Sequence, residues 1–339
     1  MSPNHFFARY LTAFLTDYLP GQRRVSANTV KAYRDVFILF LRYCRDNLGW
    51  KPEKIALDQL DVDVIRGFLT YVEKERGCCT RTRNQRLAAF HSFFRYVQVE
   101  VPEVLTQVQR ILTIPFHRFE RRCIRYLEPQ QVATLLGQPD LDTPTGRRDA
   151  AMLSLLYDSA ARVQELVNLR ARDVRLESPP HVRLTGKGRK PRIVPLMTNT
   201  AKLLHRHMEE HDLNSPHRSE EPLFHNRFGD RLSRSGVRYI LEKYVGRAEA
   251  AGAIFGDVVS PHTLRHTKAM HLLIAGNPLV IIRDFLGHSD IRTSEVYARA
   301  NLEMKREALA RVEDVSPVVA TASTSWQSDT QLIEWLKSL

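Results

Sequence analysis

Apolar residues recur every three to four positions through most of this chain, the period of a helix packed on one face. In SANTVKAYRDVFILFLRYCRDN, Val30, Tyr33, Phe37, Phe40 and Leu41 form such a stripe, and Ser26, Asn28 and Thr29 supply a start signal. LDVDVIRGFLTYVEKER predicts a second helix, ending near Gly77. TRTRNQRLAAFHSFFRYVQVE predicts a third, with Leu87, Phe90, Phe94 and Val97 on one stripe. A shorter helix at the N-terminus and another near residues 102–112 complete a helical bundle over residues 1–113. IPFHRFERRCIRYLEP, bounded by Pro115 and Pro129, breaks the pattern and reads as a flexible basic linker over residues 114–126.

Beyond it, helical periodicity returns in EPQQVATLLGQ, GRRDAAMLSLLYDSA and RVQELVNLR. The period then shortens to two in HVRLT and PRIVPL, joined by a Gly- and Lys-rich turn, which predicts a β-hairpin. Five further helical patterns follow, the last being DIRTSEVYARANLEMKREALARV. The expected fold is mainly α, with a bundle at residues 1–113 and a second, mostly helical domain at 127–310 carrying a small β-hairpin or sheet. Residues 311–339 form a tail ending in the short amphipathic stretch DTQLIEWLKSL.

Composition fits a folded chain: 339 residues, 43% hydrophobic and 26% charged. No stretch approaches the roughly 20 apolar residues of a membrane span. Arg9 and Asp17 interrupt the N-terminal apolar stretch, so it does not read as a signal peptide. Four cysteines (Cys44, Cys78, Cys79 and Cys123) form no C-x-x-C pair, which points away from a disulfide framework and towards a reducing cytoplasm. Charge adds more. The net charge is +12, and residues 1–126 hold 21 Lys/Arg against 12 Asp/Glu, or +9, leaving +3 for the rest. A basic N-terminal third suits a polyanion such as double-stranded DNA. Lys31, Arg34, Arg81, Arg83, Asn84, Arg86 and Arg95 lie on polar helix faces there and are candidates to line a phosphate backbone.

Four features in the second domain carry candidate chemistry. ARVQEL sets Arg162 and Glu165 three apart, on one helix face. GKGRKPR puts Lys187 in the hairpin turn, and its spacing is not that of a nucleotide-binding loop. PHTLRH sets His262 and Arg265 three apart at a helix start. His262 and His266 have the spacing of a zinc-binding helix, but Thr263 stands where that motif needs Glu, so no metal site is expected. LGHSDIRTSEVY brings His288 and, nine residues later, Tyr297. Alone, that Tyr is an ordinary packed aromatic. Together these residues make a cationic pocket around a phenol, a set suited to phosphoryl transfer at a phosphodiester. Arginines can hold the non-bridging oxygens bidentately and stabilise transition-state charge. A phenol is a feasible nucleophile once its deprotonation is assisted. A lysine on a mobile turn can protonate a 5′-hydroxyl leaving group.

ARVQEL, GKGRKPRIVPL, SPHTLRHTKAMHLL and LGHSDIRTSEVYARA, in that order, resemble the signature boxes of the tyrosine recombinases, or lambda-integrase family. Ala161 stands where a bulkier residue often precedes the arginine. The resemblance implies that Arg162 and Arg265 are the catalytic arginines and that Glu165 supports the site. Lys187 is then the general acid, and His262 and His288 complete the set. Tyr297 is the nucleophile, forming a 3′-phosphotyrosyl bond. It further implies strand exchange between two DNA sites in a homotetramer, with no cofactor and no metal, and a core-binding role for the N-terminal bundle. The tail helix, around Leu332, Ile333, Trp335 and Leu336, would dock on a neighbouring protomer. Such a protein works in the cytoplasm, at the nucleoid.

Two other readings share some of these features. A type IB topoisomerase-like relaxase would use the same cleavage chemistry as a monomer. A catalytically silent, architectural DNA-binding protein would need none of the six catalytic residues, all of which are present. Among recombinase roles, the sequence points to a mobile-element integrase or transposase, or a resolver. An integron enzyme remains open, because the 75-residue interval from Lys187 to His262 does not by itself reveal an insertion. No arm-binding domain is expected before the bundle.

Overall fold

The computed structural model describes residues 6–119, 124–186, 190–256, 258–288 and 297. The chain divides into two compact units, Met1–Arg122 and Cys123–Leu339. Among the described residues the architecture is mainly α with one three-stranded antiparallel sheet.

The first unit contains α1 (Phe7–Ala13), α2 (Ala27–Leu48), α3 (Val62–Lys74), α4 (Thr80–Glu100) and α5 (Leu105–Leu112). Ser26 caps α2 by accepting from the Thr29 N–H at 3.3 Å, as its start signal predicts. Asp61 caps α3 by accepting from the N–H groups of Asp63 and Val64 at 2.9 Å. After α1 the chain widens into a π-helical segment, Phe14–Gln22, which helical periodicity alone does not foresee. The core is a lattice of phenylalanines. Phe40 meets Phe90 at 5.0 Å and Phe68 at 5.3 Å, and Phe7 meets Phe93 at 5.3 Å, all near-perpendicular. Each such pair adds about 0.5–1.5 kcal/mol beyond its area burial.

The apolar stripe of α4 extends one turn back to Arg83, which is only 4% exposed. Its Nη1 donates to Pro115 O at 2.9 Å and to Asn84 Oδ1 at 3.2 Å. Asn84 donates to His117 O at 2.7 Å and accepts from His117 N–H at 3.0 Å. Phe116 meets the buried His91 ring edge-on at 5.2 Å. The stretch Ile114–His117 is therefore fastened to the bundle, and the expectation of a flexible linker from residue 114 is corrected. A basic segment that satisfies its backbone through α4 is part of the folded unit.

The second unit begins with α6 (Pro129–Leu136), α7 (Pro144–Asp158) and α8 (Val163–Val167). The sheet follows: β1 (Val174–Arg175), β2 (His181–Thr185) and β3 (Pro191–Pro195), in the order β1-β2-β3. β2 and β3 form the predicted hairpin, with Val182 opposite Val194 and Leu184 opposite Arg192. The two-residue β1 is an addition the pattern did not predict. Then come α9 (Thr198–Glu210), α10 (Arg234–Ala250), α11 (Pro261–Ile274) and α12 (Leu279–Leu286). Buried residues run along α7 from Ala150 to Leu156 without a break, so it is the central helix, with α9 and α11 against it. A buried ion pair crosses this core. Lys268 Nζ on α11 donates to Asp158 Oδ1 at 2.9 Å, while Asp158 Oδ2 accepts from Met197 N–H at 2.6 Å. No helix among the described residues is long and apolar enough to cross a membrane. The last helical pattern, apart from Tyr297, and the tail helix lie outside the described residues.

Removing the Asn84 amide should loosen Ile114–His117 without unfolding the bundle. Two hydrogen bonds of about 1 kcal/mol each predict that Asn84→Ala speeds tryptic cleavage after Arg118 by roughly tenfold or more. Mass-spectrometric timing of that one cut checks it.

Candidate active site

The site starts from a helix cap. α7 ends at Asp158 with Ser159 as its C-cap, and Ala160 turns the chain with φ of 48°. That left-handed backbone costs a non-glycine residue about 1–3 kcal/mol. Arg162 then sits at the N-cap of α8 in extended conformation, so the expectation that it shares a helix face with Glu165 is refined. The three-residue spacing is that of a capping box. Glu165 Oε2 accepts from Arg162 N–H at 2.9 Å, and Oε1 accepts from Arg162 Nη1 at 2.8 Å.

Glu165 has a second cation. Arg192 on β3 donates Nη2 to Oε2 at 2.8 Å and Nη1 to Oε1 at 3.1 Å, a bidentate fork. The carboxylate is 4% exposed and Arg192 11%. Burial works to raise the Glu165 pKa, but the hydrogen bonds from Arg192 and Arg162 outweigh it and hold the carboxyl below its ordinary range. Arg192 Nε donates to Phe285 O at 2.9 Å, reaching the last turn of α12. Gly287 ends that helix with φ of 64°, and a Cβ there would sit 3.0 Å from Arg192 Cδ and Nη1. Glycine at 287 thus serves both the turn and the close approach.

α11 supplies the next layer. Ser260 caps it through reciprocal bonds with Thr263, at 3.2 and 3.1 Å, and Pro261 occupies the first turn. His262 follows at the exposed start, and Arg265, one turn on, is 3% exposed. Arg265 donates Nη1 to Ala160 O at 2.5 Å and Nη2 to Leu286 O at 2.6 Å. One guanidinium therefore ties together the end of α7 and the end of α12. Burial first, then Arg162, lowers its pKa to about 10, so it stays charged at neutral pH. His288 follows α12, its N–H donating to Arg283 O at 3.0 Å. Burial, then Arg265, Arg162 and Arg192, push its pKa down to about 4. Burial, Arg265 and Arg162 lower that of His262 as well.

Tyr297 lies 1% exposed in an apolar cluster with Ala160, Ala269, Met270, Leu273, Ile282 and Leu286. It is packed, as an ordinary aromatic would be, yet its hydroxyl is 2.9 Å from His266 Nδ1. Burial raises its pKa, while Arg265 and Arg162 pull the other way.

The structure thus brings together Arg162, Glu165, His262, Arg265, His288 and Tyr297 from three separate stretches of sequence. Lys187 lies outside the described residues. Sequence reasoning missed Arg192 and weighed His266 only as a metal ligand. The alternation of β3 held a signal for Arg192, since it shares a strand face with the buried Val194. Of the candidate DNA contacts, Lys31, Arg34, Arg81 and Arg95 are exposed. Arg34 pairs with Asp35 at 2.8 Å, and Arg86 donates to Cys78 Sγ at 3.3 Å. Arg83 and Asn84 are turned to the Ile114–His117 stretch.

Comparison with known proteins places these residues in context. Residues 125–304 match the model described as the phage integrase family, and residues 11–100 match the phage integrase N-terminal SAM-like domain. The chain is 36% identical over its full length, and that of the relative, to a putative integrase/recombinase of Sinorhizobium fredii. It is 32% identical to the tyrosine recombinase XerC of Pelotomaculum thermopropionicum, covering 84% of this chain and 92% of the relative. Among solved structures, the Tn1549 transposon integrase in complex with transposon right end DNA matches with a TM-score of 0.67. It does so at 16% identity over 89% of this chain and 99% of that one. A lambda integrase dimer bound to a core site matches with a TM-score of 0.65, at 15% identity over 88% of this chain and 78% of that one. At such identities the structures speak for the fold alone.

Neutralising the carboxylate should leave two guanidinium groups uncompensated. Glu165→Gln keeps the shape but removes the charge, and breaking a buried pair in this way costs about 3–5 kcal/mol. Urea unfolding followed by circular dichroism checks the value. Arg192→Lys should recover little of the pairing, because an ammonium cannot reproduce the fork.

Proposed function

The chain belongs to the phage integrase family of tyrosine recombinases, and we propose that Tyr297 is the nucleophile with which it cleaves and rejoins DNA in site-specific strand exchange. The observation that carries this is the convergence of two arginines and three histidines on one buried phenol. Arg162 and Arg265 hold the non-bridging oxygens of the scissile phosphate, and His262 and His288 add hydrogen bonds. The neutral form of His288 leaves it a single N–H to offer. Glu165 positions Arg162, and Lys187 protonates the departing oxygen. Tyr297 Oη bonds to phosphorus as the P–O5′ bond breaks, leaving a 3′-phosphotyrosyl linkage and a free 5′-hydroxyl. The 5′-hydroxyl of a second strand then reverses the step. One ester replaces another each time, so bond energy is conserved and no nucleotide is needed.

We assign DNA contact in the first unit to Lys31, Arg34, Arg81, Arg86 and Arg95, whose charges suit counterion release. Strand exchange between two sites calls for a homotetramer, in an integrase or transposase of a mobile element or a resolver acting at the nucleoid. The named relatives favour recombination over relaxation or a silent architectural role.

The test uses nicked duplexes tiled across the DNA that flanks the protein's own coding sequence. Wild type should form a covalent protein–DNA adduct, visible as a shifted band on a denaturing gel, and Tyr297→Phe should form none. An adduct that survives in Tyr297→Phe would overturn the assignment. If Arg81 neutralises one phosphate, Arg81→Ala should make the slope of log affinity against log salt shallower by ~0.9, as read by fluorescence anisotropy.

A further inference from the structure

We infer that His266 is the base that takes the phenol proton of Tyr297 during attack on phosphorus and returns it when the strand is resealed. This inference rests on the reading of Tyr297 as nucleophile and adds a catalytic residue to it. His266 Nδ1 stands 2.9 Å from the Tyr297 oxygen, within the reach that proton transfer requires. The rings lie 5.7 Å apart at 55°. For Nδ1 to accept, the ring proton must sit on Nε2. His262, one turn earlier, stacks on His266 at 6.3 Å, so the two histidines share a face of α11 with His266 nearer the phenol.

Why a base is needed follows from the surroundings of Tyr297. Its ring is buried in the apolar cluster that includes Ala160, Ala269, Met270, Leu273, Ile282 and Leu286. A phenolate formed there without a proton acceptor would be a poorly solvated charge. Burial accordingly raises the phenol's pKa.

The charges around His266 add a control. On its own helix it faces His262 and Arg265, and both, with burial ahead of them, lower its pKa to about 4. His288, beyond α12, faces His266, and Arg162, before α8, faces His262 and Tyr297. In the free chain His266 is therefore a neutral, weak base and the phenol keeps its proton. A phosphodiester bound between Arg162 and Arg265 brings a negative charge into this field. That charge offsets the two guanidiniums and strengthens the base. The nucleophile is armed by the substrate it attacks. The step balances: the Tyr297 Oη–P bond forms, the P–O5′ bond breaks, the phenol proton moves to His266 Nδ1, and O5′ receives a proton from the general acid.

The experiment is single-turnover cleavage of the nicked flanking duplex between pH 6 and 9, with wild type, His266→Asn, His266→Ala and Tyr297→Phe. Asn keeps a polar group but cannot take a proton. Wild type should cleave at a rate nearly independent of pH. Both His266 variants should be slower by ~10²-fold or more at pH 7, with log rate rising about one unit per pH unit as hydroxide replaces the lost base. A pH-independent loss of any size would reduce His266 to a positioning residue, and an unchanged rate in His266→Asn would remove it altogether. Either result overturns the proposal while a silent Tyr297→Phe leaves the nucleophile standing. An adduct in Tyr297→Phe overturns both. A measurement without DNA stands beside these. In the ¹⁵N-histidine spectrum the Nδ1 signal of His266, identified by its loss in His266→Asn, should move in Tyr297→Phe. An unmoved signal would mean that the hydrogen bond is absent and the proposal fails.

Discussion

One buried carboxylate organises the second unit. Glu165 caps α8 through the Arg162 amide, pairs with the Arg162 side chain and receives the fork of Arg192 from β3. Arg192 reaches on to the last turn of α12. Three elements far apart in sequence, α8, β3 and α12, are thus set relative to a single pair of oxygens. A carboxylate so enclosed is tolerable only because each oxygen accepts two N–H groups, which returns what water would have supplied. Protein groups alone hold Arg162 and Arg192 in place, the kind of preorganisation that electrostatic catalysis requires.

Three guanidiniums (Arg162, Arg192 and Arg265) and three histidines gathered in one place would repel one another if all were charged. The structure resolves this by leaving the histidines neutral. His266 and His288 both sit near a pKa of 4, while Arg265, the most buried cation, keeps its charge. A positive field is held ready without a second layer of competing cations. The field has one carboxylate beneath it and an anion-sized demand above it. On the proposed reading, an arriving phosphate would therefore change the protonation balance of the site as well as fill it.

Much of this was legible in the sequence, and the failures have physical causes. Helix positions followed from periodicity and caps, as at Ser26, because those signals are local. The motif residues could be named because their types and order are distinctive. Arg192 escaped notice because its partner, Glu165, lies 27 residues away and is brought to it only by the packing of β3. His266 was judged for one chemistry, metal binding, when its neighbour was a phenol 31 residues further on. Arg83 and Asn84 were read as part of a basic face. The stripe of Leu87, Phe90, Phe94 and Val97, carried back one turn, lands on Arg83 and marks it as inward. Charge suggested a surface where periodicity, applied one turn further, indicated a core.

Arg265 has a property that its partners confer. The two acceptors that fix it are main-chain carbonyls, of Ala160 and Leu286, rather than side chains. Every amino acid carries that group, so no point substitution at 160 or 286 deletes an acceptor. What such a substitution can disturb is backbone shape, above all at Ala160 with its positive φ. The orientation of this guanidinium is thereby buffered against drift in sequence and exposed to drift in conformation. Lineages could exchange much of the surrounding apolar packing and still aim the same charge at the same point.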